Sequence, residues 1–278
     1  VLIDGKPGRK GSRLGVQQRV LVAVGAATER PVPQPDLALT VLRQTPALVA
    51  MNKTPGIPSH PLLPGERDTM ANALLARYPE CGAASERARE GGLVHRLDWC
   101  TSGVLLAARS RSVYRRLRAM FAAGEVDKRY VALVAGKLEE AQVVTLPLRT
   151  RARDRQRVTI AARLDEGQPA RSEVEPIAHL GDLSLVAVRC HTGRRHQVRV
   201  HLAALGHPIV NDELYGGPEV GDEGCGAFLH AASVSFAGEC FTAPLPAQRR
   251  ELLISLGYPL DRVEALPLHH EADQQGAP

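Results

Sequence analysis

The sequence is short of the residues on which several classes of protein depend. The five cysteines of the 278-residue chain include no Cys-x-x-Cys pair, so neither a disulfide framework nor a cysteine zinc site is expected. No apolar run approaches the roughly 20 residues of a membrane-spanning helix. The first nine residues lack the basic start and apolar core of a secretory signal. We therefore expect a soluble, cytoplasmic protein that makes no contact with a membrane.

Aromatic residues and lysines are also scarce, whereas arginines are abundant. Phe, Trp and Tyr make up 4% of the chain, which argues against rows of aromatic side chains that stack single-stranded bases. The net charge is +5, and the lysines are confined to Lys6, Lys10, Lys53, Lys128 and Lys137. Guanidinium groups suit phosphate and base-edge contacts, so a nucleic-acid surface would depend on arginine. A genome-wide preference for arginine over lysine explains the same composition equally well.

Three prolines mark a boundary near the start of the chain. Residues 29–36 contain Pro31, Pro33 and Pro35, and they predict an extended linker because proline fixes the backbone and removes hydrogen-bond donors. The preceding residues, 1–28, have short apolar segments around an Asp-Gly turn, which predict a small hairpin. Residues 37–268 have no comparable break and predict one main domain, and a polar tail follows at 269–278.

The main domain alternates between predicted strands and predicted helices. Strands are expected at 104–108, 130–134 and 185–190, where apolar residues run together. One helix is expected to begin at Ser112 and end at Gly124, and another to span 69–78. This mixture predicts an α+β fold with a mixed, mainly antiparallel sheet flanked by helices, rather than a parallel doubly wound sheet.

The stretch from 95 to 103, His-Arg-Leu-Asp-Trp-Cys-Thr-Ser-Gly, places the carboxylate of Asp98 beside Arg96 at the start of a predicted strand. A one-carboxylate enzyme could hold its reacting group at such a position. An aspartate in a Thr-Ser-Gly loop is, however, more often a turn cap whose side chain bonds nearby backbone N–H groups. The spacing alone leaves both interpretations open and favours the structural one.

Five segments, in order along the chain, resemble the motifs of the RluA-type family of RNA pseudouridine synthases. They lie at 51–61, 95–103, 128–136, 192–216 and 228–246. The second is similar to the family signature H-R-L-D-x-x-T-S-G, and the fourth begins like T-G-R-x-H-Q-x-R-x-H. The chain departs from the family at Thr54 and Asn211, where proline and glycine are usual, and at the unusual pair Trp99-Cys100. Residues 1–28 resemble the second half of an α-L RNA-binding module, although an edge hairpin packed on the main domain fits equally well.

The resemblance implies a pseudouridine synthase fold at 37–268 and the isomerisation of uridines in structured RNA, without a cofactor or metal. It implies that Asp98 is the catalytic carboxylate, as nucleophile or as base, with Arg199 as its cationic partner and Tyr130 beside the target base. Arg96 would occupy the space that the flipped base leaves or hold the flipped backbone. Further RNA contacts are expected from His95, Lys53, Arg194, Arg195 and His196. We expect a monomer, and ribosomal RNA is favoured over transfer RNA as the substrate.

The segment 197–202 gives two conflicting predictions. Its polar residues alternate with Val198, Val200 and Leu202 as in a strand. The family resemblance instead implies a helix, which Gly206 would end. We adopt the helix.

Two other functions would use the same residues. A metal-dependent hydrolase would draw its ligands from His60, His95, Asp98, His196, His201, Asp212 and His230. Two histidines five positions apart, however, share neither a helix face nor a strand face. An RNA-binding assembly factor without catalysis would keep the fold, but the joint presence of Asp98, Tyr130 and Arg199 argues against it.

Overall fold

The computed structural model describes residues 1–8, 11, 13–22, 30–150, 157–221, 226–259 and 261–262. The predicted tail at 269–278 and the whole segment 23–29 lie outside these residues. No helix in the described ranges is long and apolar enough to cross a membrane.

The secondary structure begins with three short strands and continues with a large sheet, a separate hairpin and helices. The strands are β1 (Leu2–Ile3), β2 (Lys6–Pro7), β3 (Val20–Leu21), β4 (Thr40–Gln44), β5 (Leu48–Lys53), β6 (Ser102–Ala108), β7 (Asp127–Ala135), β8 (Gln142–Val144), β9 (Leu148–Thr150), β10 (Val158–Ile160), β11 (Ser172–Leu180), β12 (Leu183–Cys190), β13 (Leu229–Phe236) and β14 (Glu239–Thr242). The α-helices are α1 (Met70–Arg77), α2 (Arg111–Ala123), α3 (Gln197–Ala204) and α4 (Ala247–Ser255).

The large sheet has nine strands in the order β4-β5-β6-β13-β7-β12-β11-β8, with β14 paired to β13. Among these neighbours β6 and β13 run parallel, whereas the other pairs are antiparallel. The predicted α+β fold with a mixed, mainly antiparallel sheet is therefore confirmed. Strands β9 and β10 form a separate hairpin, and β1 to β3 form a small antiparallel sheet that contains the predicted Asp4-Gly5 hairpin.

Strand β6 follows the loop that carries Asp98 and is buried on both faces. Its packing therefore fixes the C-terminal end of that loop. All seven residues of β6 are buried. Because side chains alternate between the faces of a strand, Leu106 packs in one cluster with Leu117 of α2, and Leu105 packs in another with Leu74 of α1. Each buried leucine contributes on the order of 2 kcal/mol to folding.

The two helices that were predicted from their capping residues are present, and one of them begins at a different residue from the one predicted. Helix α1 begins after Thr69, whose hydroxyl and backbone exchange hydrogen bonds with Asn72 in a capping box. Helix α2 ends at Gly124 as predicted, but its N-cap is Ser110 and not Ser112, because the Ser110 side chain accepts from the N–H of Val113. Ser112 lies in the first turn.

Residues 197–202 are helical, so the strand-like alternation was misleading. All six are buried in α3. Three of them are polar and form hydrogen bonds in the interior. The residue pattern therefore does not separate a solvent-exposed polar face from a buried apolar one. This is why hydrophobic periodicity failed to identify the helix.

The proline-rich segment predicted as a linker runs along α1 rather than through solvent. Gln34 is buried, its amide bonds the side chain and N–H of Asp68, and its N–H donates to the carbonyl of Asn72. These contacts attach residues 30–36 to the main domain.

Gly103 allows β6 and β13 to approach each other. Its φ is +115°, and a Cβ at this position would lie 2.1 Å from the carbonyl oxygen of Ala231. Any side chain here would collide with the backbone of the paired strand, so the glycine of the Thr-Ser-Gly sequence is a packing requirement of the parallel pair.

We predict that Gly103→Ala lowers the free energy of unfolding by about 3 kcal/mol or more, because it adds a backbone collision to the strain of a positive φ. The matched control is Gly181→Ala, at φ +62° with no atom within 4 Å of the added Cβ, which should lose only about 1–2 kcal/mol. Urea unfolding of both variants tests this. Equal losses would contradict the role assigned to the collision.

Candidate active site

Asp98 lines an open pocket between the main sheet and α3. Its side chain is 19% exposed. Tyr130 of β7, and His196 and Arg199 at the start of α3, line the same pocket, and the exposed Arg96 lies at its edge. The structure thus brings together Asp98, Tyr130 and Arg199, which are far apart in the sequence.

Arg199 is held by one carboxylate and approaches a second. Its Nε and Nη2 each lie 2.7 Å from an oxygen of Asp212, while Nη1 lies 3.6 Å from Oδ2 of Asp98. Burial opposes the charge, but the hydrogen-bonded Asp212 holds the pKa of Arg199 above its usual value. The guanidinium therefore stays charged and fixed beside Asp98.

Sequence reasoning missed Asp212 as the residue that orients Arg199. Asp212 is 1% exposed and lies within a tight turn in which a Cβ at Gly217 would overlap the carbonyl oxygen of Ile209. The preceding Asn211 has φ 60°, and its amide exchanges hydrogen bonds with the backbone of Val220. Asparagine tolerates this left-handed conformation, which explains why it can stand where the family usually has glycine.

His196 faces the Asp98 carboxylate from inside the pocket, which differs from the expected phosphate contact. Its side chain is 14% exposed, and Nε2 lies 3.9 Å from Oδ1 of Asp98. Nδ1 lies 2.8 Å from the hydroxyl of Tyr215, which also accepts the N–H of Val158 in β10. Burial lowers the pKa of His196 below its usual value. The imidazole is therefore neutral near pH 7 and is held in place by Tyr215.

Tyr130 presents a neutral phenol to the pocket. Burial raises the pKa of Tyr130 well above its usual value, so the hydroxyl keeps its proton near pH 7. It can therefore donate a hydrogen bond, but a phenolate base is disfavoured.

Lys53 is buried under the loop that carries Asp98, and this placement corrects the expected RNA contact. Its side chain is completely buried, and Nζ donates to the carbonyls of Thr54 at 3.0 Å, Trp99 at 3.0 Å and Thr101 at 2.7 Å. Burial lowers its pKa from 10.5 to about 7. Lys53 thus binds protein carbonyls and cannot reach a phosphate at the surface.

Arg249 of α4 holds the same loop from another side, and no sequence signal pointed to it. It is 1% exposed, and Nη2 donates to the carbonyls of Cys100 and Ala227, each at 2.7 Å. Nη1 donates to the Ser102 hydroxyl at 2.8 Å and to the carbonyl of Leu229. In the sequence Ala-Gln-Arg-Arg-Glu this arginine resembles part of a solvated helix face.

His95 is half-buried and supports β6. Its Nε2 accepts the N–H of Leu106 at 3.1 Å, and its ring stacks on Phe121 with centroids 4.9 Å apart. Burial, with the nearby charges of Lys128 and Arg118, lowers the pKa of His95 to about 3. This expected RNA contact is therefore a neutral structural histidine.

Arg194 and Arg195 lie at the border of the pocket. Arg194 is exposed, its Nε donates to the carbonyl of Pro169, and it lines both this pocket and a neighbouring cavity of about 310 Å³. Arg195 lines the neighbouring cavity, together with residues of the β9–β10 hairpin. Both positions are compatible with the predicted phosphate contacts.

The residues considered as metal ligands have other partners. His201 uses both ring nitrogens, on the Ser172 hydroxyl and the carbonyl of Leu146, and His230 does so on the Ser102 hydroxyl and the carbonyl of Ala243. Across the described part of the chain, no group of three or more His, Cys, Asp or Glu side chains is placed to share a metal ion. The hydrolase interpretation therefore lacks a ligand set there.

Comparison with known proteins gives several matches. The family described as RNA pseudouridylate synthase matches residues 47–204. The chain is 39% identical over 211 residues to an uncharacterized RNA pseudouridine synthase of Chloroflexus aurantiacus, covering 74% of this chain and 65% of that protein. It is 34% identical to ribosomal large subunit pseudouridine synthase D of Xanthomonas campestris, covering 78% of this chain and 63% of that protein. The chain thus spans somewhat less than two thirds of the length of these two relatives.

Two further similarities cover more of the matched protein. Dual-specificity RNA pseudouridine synthase RluA of Escherichia coli K12 is 32% identical, over 75% of this chain and 93% of that protein. Among solved structures, human RNA pseudouridylate synthase domain containing 1 superposes with a TM-score of 0.59 at 26% identity, over 75% of this chain and 83% of that one.

We predict that acid destabilises the protein through its buried histidines. Burial lowers the pKa of His230 to about 4 and that of His95 to about 3, whereas both take up a proton near pH 6.5 in the unfolded chain. Because the unfolded state then binds more protons, the free energy of unfolding should fall from about pH 6.5 to pH 4. The slope should reach about 1.4 kcal/mol per pH unit for each histidine.

Urea unfolding of the parent protein and of His230→Gln between pH 7 and pH 4 tests this. The variant should have the shallower slope, whereas Ser233→Ala, a buried change on the same strand without a titrating group, should keep the parent slope. Identical slopes in His230→Gln and the parent would contradict the prediction.

Proposed function

The chain belongs to the RluA-type family of RNA pseudouridine synthases, and on this premise we propose that it isomerises uridine to pseudouridine in structured RNA with Asp98 as its one catalytic carboxylate. The position of Asp98 carries the proposal. Among the residues that line the pocket it is the one acid, and it lies beside the charged Arg199 and the neutral Tyr130.

The reaction breaks the bond between the anomeric carbon of the ribose and N1 of uracil, and forms one from the same carbon to C5. The proton on C5 is lost and N1 gains one, so no oxidant, reductant or group donor is consumed, and we propose no cofactor. Asp98 acts either as the nucleophile on the anomeric carbon or as the base that removes the neighbouring ribose proton. Both roles place the carboxylate against the sugar of a flipped nucleotide.

The surrounding residues have distinct roles in this proposal. Arg199, fixed by Asp212, stabilises negative charge as it develops or shifts at the site. Tyr130 contacts the uracil and donates a hydrogen bond from its protonated phenol. The target base must leave its stack at a cost of a few kcal/mol, and the exposed Arg96 enters the space it leaves. Arg194 and Arg195 bind phosphates, as charge-assisted contacts from guanidinium groups commonly do.

Ribosomal RNA is the proposed substrate, in preference to transfer RNA. A relative named for the ribosomal large subunit supports this choice, as does the small sheet at residues 1–21, which resembles part of an RNA-binding module. We also propose that the protein acts as a monomer, because Asp98, Tyr130 and Arg199 all come from one chain. Mapping pseudouridines in cellular ribosomal and transfer RNA, with and without the active protein, tests the substrate.

We predict that Asp98→Asn binds RNA normally but loses turnover by at least about 100-fold, because the amide keeps the shape of the carboxylate and removes its charge. Release of tritium from C5-labelled uridine in unmodified ribosomal RNA transcripts measures turnover, and filter retention measures binding. Asp182→Asn, an exposed acid outside the pocket lining, is the control and should remain active. Normal turnover of Asp98→Asn would overturn the proposed mechanism.

We predict that Arg199→Lys lowers kcat by about tenfold or more while RNA affinity changes little, because lysine keeps the charge but cannot bind Asp212 with two parallel hydrogen bonds. Thermal unfolding of the same variant checks that it is folded. Arg199→Ala should be less stable still, since it leaves Asp212 buried without its cation. Equal losses of kcat and of RNA affinity in Arg199→Lys would indicate instead that Arg199 binds RNA.

A further inference from the structure

Trp99 is the one tryptophan of the chain, and it leaves 52% of its surface exposed directly after Asp98. Isolated apolar residues on a surface are common, so exposure alone assigns no role. Its position differs from the ordinary case because the residue before it belongs to the reaction site. Trp99 itself does not line the pocket, so a base that stacks on the indole would lie outside the reaction site.

The backbone of Trp99 is anchored from two directions. Its carbonyl accepts the N–H of Gly56 at 2.9 Å and Nζ of the buried Lys53 at 3.0 Å. A side chain on a flexible loop would lose conformational entropy when it binds, and this loss would weaken the affinity. The anchored backbone removes part of that cost in advance.

Two glycines leave the edge of the indole uncovered. A Cβ added at Gly56 would lie 3.9 Å from Cζ2, and one added at Gly226 would lie 3.7 Å from Cζ3. Side chains at these positions would pack against the six-membered ring. Because both residues are glycines, neither places a side chain against the ring.

The charge around Trp99 fits a nucleic acid. Arg96, on the same loop, is exposed, and Arg194 is exposed at the border of the pocket. Arginines at the pocket edge and an exposed aromatic residue on the same loop supply the two interactions that a single strand needs, phosphate attraction and base stacking. An apolar protein partner would gain nothing from these arginines.

We propose that the indole of Trp99 is a stacking platform for an unpaired base next to the target uridine. This inference rests on the proposed function for its RNA ligand and goes beyond it in naming a base-binding subsite. When an aromatic side chain on which a base stacks is removed, the affinity falls by roughly 5- to 150-fold.

The first experiment uses the natural fluorescence of Trp99, which no other tryptophan obscures. The Asp98→Asn protein is titrated with heptauridylate and with a heptamer of abasic ribose phosphates, and filter retention of labelled heptamer gives binding independently. Stacking predicts saturable quenching by heptauridylate and none by the abasic heptamer. Equal quenching by both, bound heptauridylate without quenching, or no binding of heptauridylate would overturn the proposal.

The second experiment separates the aromatic face from apolar bulk. Trp99→Leu should bind heptauridylate about 5- to 150-fold more weakly, whereas Trp99→Phe should retain most of the affinity. Val143→Ala, which changes another exposed apolar residue on the edge strand β8, is the control and should bind as the parent does. A loss of the same size in Trp99→Leu and Trp99→Phe would count against stacking.

Measurements of turnover distinguish a failure of the stacking proposal from a failure of the proposed function. With ribosomal RNA transcripts, Trp99→Leu should raise KM and leave kcat within about threefold, because it removes stacking and not chemistry. Unchanged KM in Trp99→Leu would overturn the platform alone. Base-dependent quenching by a parent protein that forms no pseudouridine in any RNA would support the platform and overturn the proposed function.

Discussion

The structure depends on two buried basic side chains that bind the backbone of one loop. Lys53 and Arg249 donate to the carbonyls of three consecutive residues, Trp99, Cys100 and Thr101. Buried carbonyls without donors are costly, and so are buried cations without acceptors. The hydrogen bonds between the carbonyls and the two basic side chains offset both costs, and they draw the three carbonyls inward. The Asp98 side chain is thereby left facing the pocket, with its backbone held in one conformation.

The same interior charges change how the composition should be understood. The excess of arginine suggested a basic surface, yet Lys53, Lys128, Arg199 and Arg249 are all at least nine-tenths buried. Part of the positive charge therefore stabilises the site from within and is not available to attract RNA. The arginines that are proposed to attract RNA, Arg96 and Arg194, lie exposed at the pocket edge instead.

The sequence predicted the elements that depend on local rules. Caps at Thr69 and Gly124 and the apolar run of β6 gave the correct elements, and the family motifs led to the residues that line the pocket. Roles that depend on tertiary burial were not predictable. The residue types of His95, Lys53 and His196 suggest surface contacts, but their environments make them a support for β6, a loop anchor and a neighbour of the carboxylate. Arg249 carried no signal at all, and Asp212 carried only its place in the fourth family-like segment, because only the folded chain brings them to the Asp98 loop and to Arg199.

The anchoring of the loop by Arg249 also sets an order in time. Arg249 and Cys100 are 149 residues apart in sequence, and a ribosome adds about 5–20 residues per second. The aspartate loop is therefore synthesised well before the arginine that will hold it, and the Cys100 carbonyl lacks this donor in the interval. Contacts between such distant segments also form slowly. A nascent chain thus cannot acquire a finished reaction site until its synthesis has passed α4.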